Sequence, residues 1–218
     1  MSLNESKGNM YSWLTHTWNT VKGECPHGCS YCYCKRWGKQ KPVRFDDKEL
    51  KTDLGSDNFI FVGSSCDMFA QNIPNDWIEK TIIHCSKFDN TYLFQSKNPS
   101  KFIYTSFPLS KIKLCTTIET NRWYPQIMKD SPIPSYRSLI LSGYIGEKYI
   151  TIEPIMDFDL YQLIGLIKRC NPVQVNIGAD SGNNHLPEPS KEKLLNLIDE
   201  LKRFTIIDQK RNLNRLLK

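Results

Sequence analysis

The stretch ECPHGCSYCYCKRW, residues 24–37, places four of the chain's eight cysteines within ten positions and follows them with basic and aromatic residues. A zinc knuckle, a disulfide knot and the grip on an iron–sulfur cluster all start from such a cluster, and the surrounding sequence narrows the choice. With 218 residues, 39% of them hydrophobic and 24% charged, the chain has material for one sizeable core. A single domain over 1–218 is expected, with residues 1–10 as a flexible N-terminus and 205–218 as a basic C-terminal tail. No run of eighteen apolar residues occurs, and the start MSLNESKGNMYSW lacks the basic and apolar regions of a secretory signal. Neither membrane span nor export is expected, and the chain reads as cytoplasmic. Thiols are kept reduced there, so the clustered cysteines favour a metal site over a disulfide framework. Cys66, Cys85, Cys115 and Cys170 are scattered and read as small buried residues.

A net charge of +6 and a pI near 8.8 lean basic without the strong footprint of a dedicated nucleic-acid binder. Much of the local excess follows the cysteines, at Lys35, Arg36, Lys39, Lys41 and Arg44, ahead of the acidic Asp46, Asp47 and Glu49. This run is either a solvated surface or a rim facing a polyanion.

Short β-branched or aromatic runs alternate with longer amphipathic segments, the pattern of repeated β-α units around a parallel sheet. Strands are predicted at 13–18, 59–62, 92–95, 112–118, 149–152 and 173–177. Helices are predicted at 75–88, at 135–142, and at 160–169, where Leu160, Leu163, Ile164 and Ile167 recur at helical spacing. A further helix is capped by Ser190 and carries Leu194, Leu195, Ile198 and Leu201. A complete eight-unit barrel takes about 250 residues, so six units predict an α/β fold of the partial (β/α)6 TIM-like type with a mainly parallel sheet. Polar residues gather after the expected strands: Gly63, Ser64, Ser65, Cys66 and Asp67, then Ser96–Asn98, Glu119–Arg122, Glu153, and Gly178–Ser181. Ligands of parallel α/β folds bind at that end.

Read closely, the opening stretch is Cys25-x-x-x-Cys29-x-x-Cys32 with Tyr31 before the last cysteine; Cys34 is surplus. Three thiolates can hold three irons of a cubane and leave the fourth open. This spacing, the aromatic and the place after a first strand resemble the radical S-adenosylmethionine superfamily. THTWNTVKGECPHGCSYCY (15–33), FVGSSCDMF (61–69), FQSKNP (94–99), TTIETN (116–121) and ITIEPIMD (150–157) are similar, in order, to segments of small superfamily proteins encoded by phages and bacterial genomic islands. The resemblance implies a [4Fe–4S] cluster on Cys25, Cys29 and Cys32. S-adenosylmethionine would chelate the open iron and be cleaved reductively to a 5′-deoxyadenosyl radical, with a flavodoxin or ferredoxin as low-potential electron donor.

The resemblance further implies that Tyr31 approaches the adenine. Gly63, Ser64 and Ser65 stand where backbone carbonyls meet the methionyl amine, and Asp67 replaces the acid usual there. Thr117 and Glu119 fall where polar side chains hold the ribose and methionine, and Asn121 or Arg122 would meet the carboxylate. Glu153 ends the segment that packs on adenine, although the usual glycines are absent. Cys66 is a candidate hydrogen-atom donor, a role a thiol plays in one member of the superfamily. The basic run and the resemblance favour a nucleotide or nucleic acid as substrate, with a peptide or a small metabolite as the alternatives. Two other readings stay open: a non-catalytic zinc knuckle on Cys25, Cys29, Cys32 and either Cys34 or His27, binding nucleic acid, and a ferredoxin in which Cys34 closes the iron site.

Overall fold

The computed structural model describes residues 3–105 and 109–218. Met1 and Ser2, part of the segment expected to be flexible, lie outside the described residues. The elements run in chain order β1 (Asn4–Glu5), β2 (His16–Trp18), β3 (Val21–Lys22), β4 (Arg44–Phe45), β5 (Phe59–Val62), α1 (Asn75–Cys85), β6 (Thr91–Gln95), β7 (Ile112–Thr117), α2 (Pro125–Met128), α3 (Pro134–Ser142), β8 (Lys148–Ile152), α4 (Leu160–Cys170), β9 (Gln174–Ile177), α5 (Lys191–Lys202) and β10 (Ile206–Gln209). Among the described residues, eight strands form one sheet in the order β1-β2-β5-β6-β7-β8-β9-β10, and every neighbouring pair but β1–β2 is parallel. The six predicted strands are its centre, which is the expected partial barrel.

Two strands lie beyond the prediction. Part of the supposed flexible N-terminus is β1, with Asn4 opposite Thr17 and Glu5 opposite His16. Part of the supposed basic tail is β10, with Ile206 opposite Gln174 and Ile207 opposite Val175. Both are edge strands without a clean apolar alternation, so neither carries the period-2 signal that marks a half-buried strand. The first predicted strand also begins late, at His16 rather than Trp13.

Alternation along the strands sorts the core into two layers. Ile60, Val62, Tyr92, Phe94, Leu114 and Ile150 point outward to the helices, where they meet Ile78 and Ile82 of α1, Leu141 of α3, Leu163 and Ile167 of α4 and Leu194, Leu197 and Leu201 of α5. Of the leucines on α5, Leu195 is exposed and Leu197 buried. Ser190 caps α5 as predicted, its Oγ accepting from the Lys193 amide at 3.3 Å. Phe61, Leu93 and Cys115 point inward, and Tyr11 and Leu14 pack on them together with Met10, Trp13, Phe59 and Tyr149. The N-terminal segment is therefore a plug in the lower half of the open barrel. Above it the inward positions turn polar, with Gln95, Thr117, Thr151 and Glu153.

Candidate active site

Because β2 and β5 through β10 run parallel, their C-terminal ends share one rim. The cysteine loop arises at this rim and is tied at its base by the β3–β4 ribbon, in which Val21 faces Phe45 and Lys22 faces Arg44. Gly23 follows at φ +105°, and a Cβ there would sit 2.5 Å from the Pro42 carbonyl oxygen. Only glycine permits this crossing, after which the Glu24 amide donates to the Lys41 carbonyl at 2.8 Å.

The loop is then fastened to the strand ends. His27, between the first two motif cysteines, contacts Asp67 through Nε2 at 2.8 Å. Asp67 also accepts from Ser96 Oγ at 2.9 Å and from the amides of Lys97 and Phe69 at 2.9 and 3.0 Å. Burial alone would lower His27 and raise Asp67, yet their mutual attraction wins and moves each toward its charged form. On the other side the loop meets α2: the Ser30 amide donates to Ile127 O at 2.9 Å, and Cys29 Sγ lies 3.6 Å from Met128 O.

Two further cysteines stand beside those of the motif, Cys66 next to Cys25 and Cys34 next to Cys32. Beside Cys66, the Cys25 thiol is held down to about 7, while that neighbour and burial push Cys66 up. Cys34 stands in the same relation to Cys32, which is held down to about 6. Cys34 Sγ is also 3.3 Å from Ser65 O, so the surplus cysteine fastens the loop to the end of β5. All eight cysteines are free thiols, and Cys85, Cys115 and Cys170 are buried in the core.

Gly63–Ser65 is a held segment. Gly63 sits at φ +82° with its amide bonded to Trp18 O, Asn19 Oδ1 accepts from the Ser65 amide at 2.9 Å, and Asn19 Nδ2 donates to Ser64 Oγ at 3.2 Å. The backbone carbonyls expected to meet a methionyl amine have other partners: Ser64 O accepts from the Tyr33 hydroxyl and Ser65 O from Cys34.

Beyond β7, Glu119 is fully buried. Its Oε2 pairs with Nη1 of Arg137 on α3 at 2.7 Å, its Oε1 pairs with Lys97 Nζ at 3.0 Å, and the Tyr31 hydroxyl donates to it. Burial would raise this carboxyl; Arg137 first and Lys97 second outweigh it and hold Glu119 at about 2. Lys97 Nζ donates to Cys29 Sγ at 3.3 Å and lies 4.3 Å from the centre of the Tyr31 ring. Burial alone would lower Lys97, but Cys29, Glu119 and Tyr31 hold its pKa well above the ordinary lysine value. Thr117, also buried, accepts from Gln95 Nε2 at 3.4 Å.

The remaining expected residues stand apart from this knot. Arg122 is committed to Asp157 and Asp159, and Asn121 Nδ2 donates to Asp159 at 3.0 Å. Two carboxylates thus pair with the side chains expected to meet a cofactor carboxylate. Glu153 lies across the rim, bonded to Lys210 at 2.6 Å, Asn9 at 3.1 Å and Asn212 at 3.3 Å. Lys97 and Arg137 were missed as site residues. Lys97 stood in the strand-end set, but its role depends on contacts distant in sequence; Arg137, inside a helix, left no local trace.

Among the described residues, no three His, Cys, Asp or Glu side chains are gathered to hold one metal ion. The two candidate fourth ligands of a zinc site have hydrogen-bond partners here, His27 with Asp67 and Cys34 with Ser65 O.

The fold and rim define a partial parallel barrel with a cysteine-bearing loop over its mouth. A double mutant of spore photoproduct lyase with bound AdoMet and dinucleoside spore photoproduct has this fold: the two align with TM-score 0.63 and 10% identity over 94% of this chain and 80% of that one. Spore photoproduct lyase complexed with the dinucleoside spore photoproduct aligns with TM-score 0.62 and 10% identity over 93% and 80%. No sequence-family model and no curated protein matches the chain. Among the described residues, no helix is long and apolar enough to cross a membrane.

Proposed function

We propose that this chain is a radical S-adenosylmethionine enzyme acting on a nucleotide or nucleic acid. The observation that carries this reading is the presentation of three thiols of one Cys-x-x-x-Cys-x-x-Cys loop over the strand ends of an open parallel barrel. Cys25, Cys29 and Cys32 would hold a [4Fe–4S] cluster. When bound, the reduced cluster supplies the electron for cleavage of S-adenosylmethionine, drawn from a flavodoxin- or ferredoxin-type donor.

The chain's own residues orient and enclose. His27 and Asp67 pin the loop between the first two ligands, so Asp67 acts through the loop rather than as a free acid. Lys97 places a cation and a hydrogen-bond donor against Cys29. Tyr31, Thr117 and Glu119 form a buried polar layer on the inner face, Glu153 stands across the rim, and the plug under them keeps water out from below. Gly63, Ser64 and Ser65 form the wall beside Cys66. That residue is 2% exposed and is our candidate hydrogen-atom donor: its S–H bond would break as a substrate C–H bond forms, and the sulfur would be reset by one electron from the low-potential donor and one proton. The likeness in fold to a lyase bound to a dinucleoside supports a substrate of that chemical class.

Anaerobic metal analysis tests the reading. The expected result is about four irons per chain, with 5′-deoxyadenosine released on addition of S-adenosylmethionine and a low-potential reductant. One zinc and no iron in the folded, anaerobically isolated protein would overturn it.

A further inference from the structure

Beside the cysteine loop, on its outer side, lies a surface cavity of about 410 Å³ lined by Lys22, Trp37, Lys39, Lys41, Arg44 and Ser65. Neither Asp nor Glu lines it. Lys22 is neutralised by Asp46 and Glu49, at 2.8 and 2.6 Å. Among the described residues, Lys39, Lys41 and Arg44 have no carboxylate within ion-pair distance, and all three are exposed. Three uncompensated cations around one concavity differ from the mixed-sign surface that ordinary solvation produces.

An aromatic side chain stands beside these cations. Trp37 is 60% exposed at the end of the 3-10 turn Tyr33–Trp37. The edge-on Tyr33 ring props it at 5.6 Å, and the Tyr33 hydroxyl is anchored on Ser64 O. Gln40 Nε2 donates to Gly38 O at 3.1 Å, and the ribbon and Gly23 close the base of the same segment. A large indole is therefore held out in solvent by a built loop, which costs free energy unless something covers it. Ser65 lines the cavity at one end and belongs to the wall of the candidate active site at the other.

We propose that this cavity binds single-stranded nucleic acid, with a base stacked on Trp37 and phosphates on Lys39, Lys41 and Arg44, and leads the strand past Ser65 to the barrel mouth. Stacking needs an unpaired base with a free face, which a duplex does not offer. The destination of the strand rests on the enzyme reading; the binding itself does not.

The test is fluorescence anisotropy with labelled twelve-nucleotide single strands of DNA and RNA, the matching duplex, and heparin as an anion without bases. Single strands should bind best, and log affinity should fall with log salt at a slope of about −2, from three phosphates at about 0.7 each. Trp37→Ala should weaken single strands about tenfold or more and leave heparin unchanged, with Trp37→Phe restoring most of the loss. Lys41→Glu with Arg44→Glu should weaken all anions and flatten the slope. DNA against RNA preference identifies the strand. Equal losses for heparin and single strands on Trp37→Ala, a preference for duplex, or no binding at low salt would each overturn the proposal. Iron content and 5′-deoxyadenosine release, measured on the same preparations, separate the two readings: iron-loaded, turning-over protein that ignores oligonucleotides loses this site but keeps the enzyme assignment.

Discussion

Glu119 and Arg137 form an ion pair from which water is wholly excluded: Oε2 and Nη1 are 2.7 Å apart, and neither side chain has any exposed surface. Arg137 also donates to Thr117 O at 2.9 Å and through Nη2 to Ser131 Oγ at 3.0 Å. Removing one partner of such a pair strands a buried charge, at a cost of about 3–5 kcal/mol. Glu119→Gln and Arg137→Met should each lose stability on that order in urea unfolding. The double variant should lose less than the sum of the two.

Acid should weaken the same knot. Glu119 is held at about 2, below its ordinary value, so its contribution to stability is present above the unfolded-state pKa and is lost as pH falls through about 4.5 toward 2. Unfolding midpoints measured from pH 7 to 3 should drop over this window, and Glu119→Gln should flatten that part of the profile.

The cysteines should divide by role. Alanine at Cys25, Cys29 or Cys32 is expected to abolish iron loading. Cys34→Ala should keep the iron, since Cys34 fastens the loop to Ser65 O, and should make the loop more open to amide exchange. Equal loss of iron in Cys34→Ala would mean that the ligand set is different.

Lys97 should set the electron affinity of a cluster on these thiols. Hydrogen bonds and positive charge at a ligand sulfur raise a cluster's reduction potential. Lys97→Met should therefore bind iron and titrate at a more negative midpoint, read by electron paramagnetic resonance, with Lys97→Arg restoring part of the shift. An unchanged midpoint would show that the 3.3 Å contact with Cys29 does not persist around the cluster.

Much of the central fold was legible because the information was local. FIFV at 59–62 and YLFQ at 92–95 are β-rich runs between turns, and α4 carries its apolar face at helical spacing; all three lie where periodicity puts them. The edge strands were hidden, because a half-exposed segment such as Ile206–Gln209 has no face to declare. Trp13 was absorbed into a strand by its aromatic character, whereas its environment is made by Phe59 and Tyr149, far along the chain. At the site, spacing identified the motif cysteines, but partners followed from tertiary contacts. Arg122 looked like a free cation until folding brought Asp157 and Asp159 to it.

The plug has a consequence for biosynthesis. Met10, Tyr11, Trp13 and Leu14 are made before the walls they fill, which are spread over Phe59, Phe61, Leu93, Cys115 and Tyr149. Until β8 has been translated, this sticky segment has only part of its seat, and parallel pairing between distant strands is slow to form. The growing chain thus carries an exposed aromatic segment until β8 is made, a span in which a holding chaperone would have its natural target. Closure of the barrel floor is a late event that waits for the middle of the molecule.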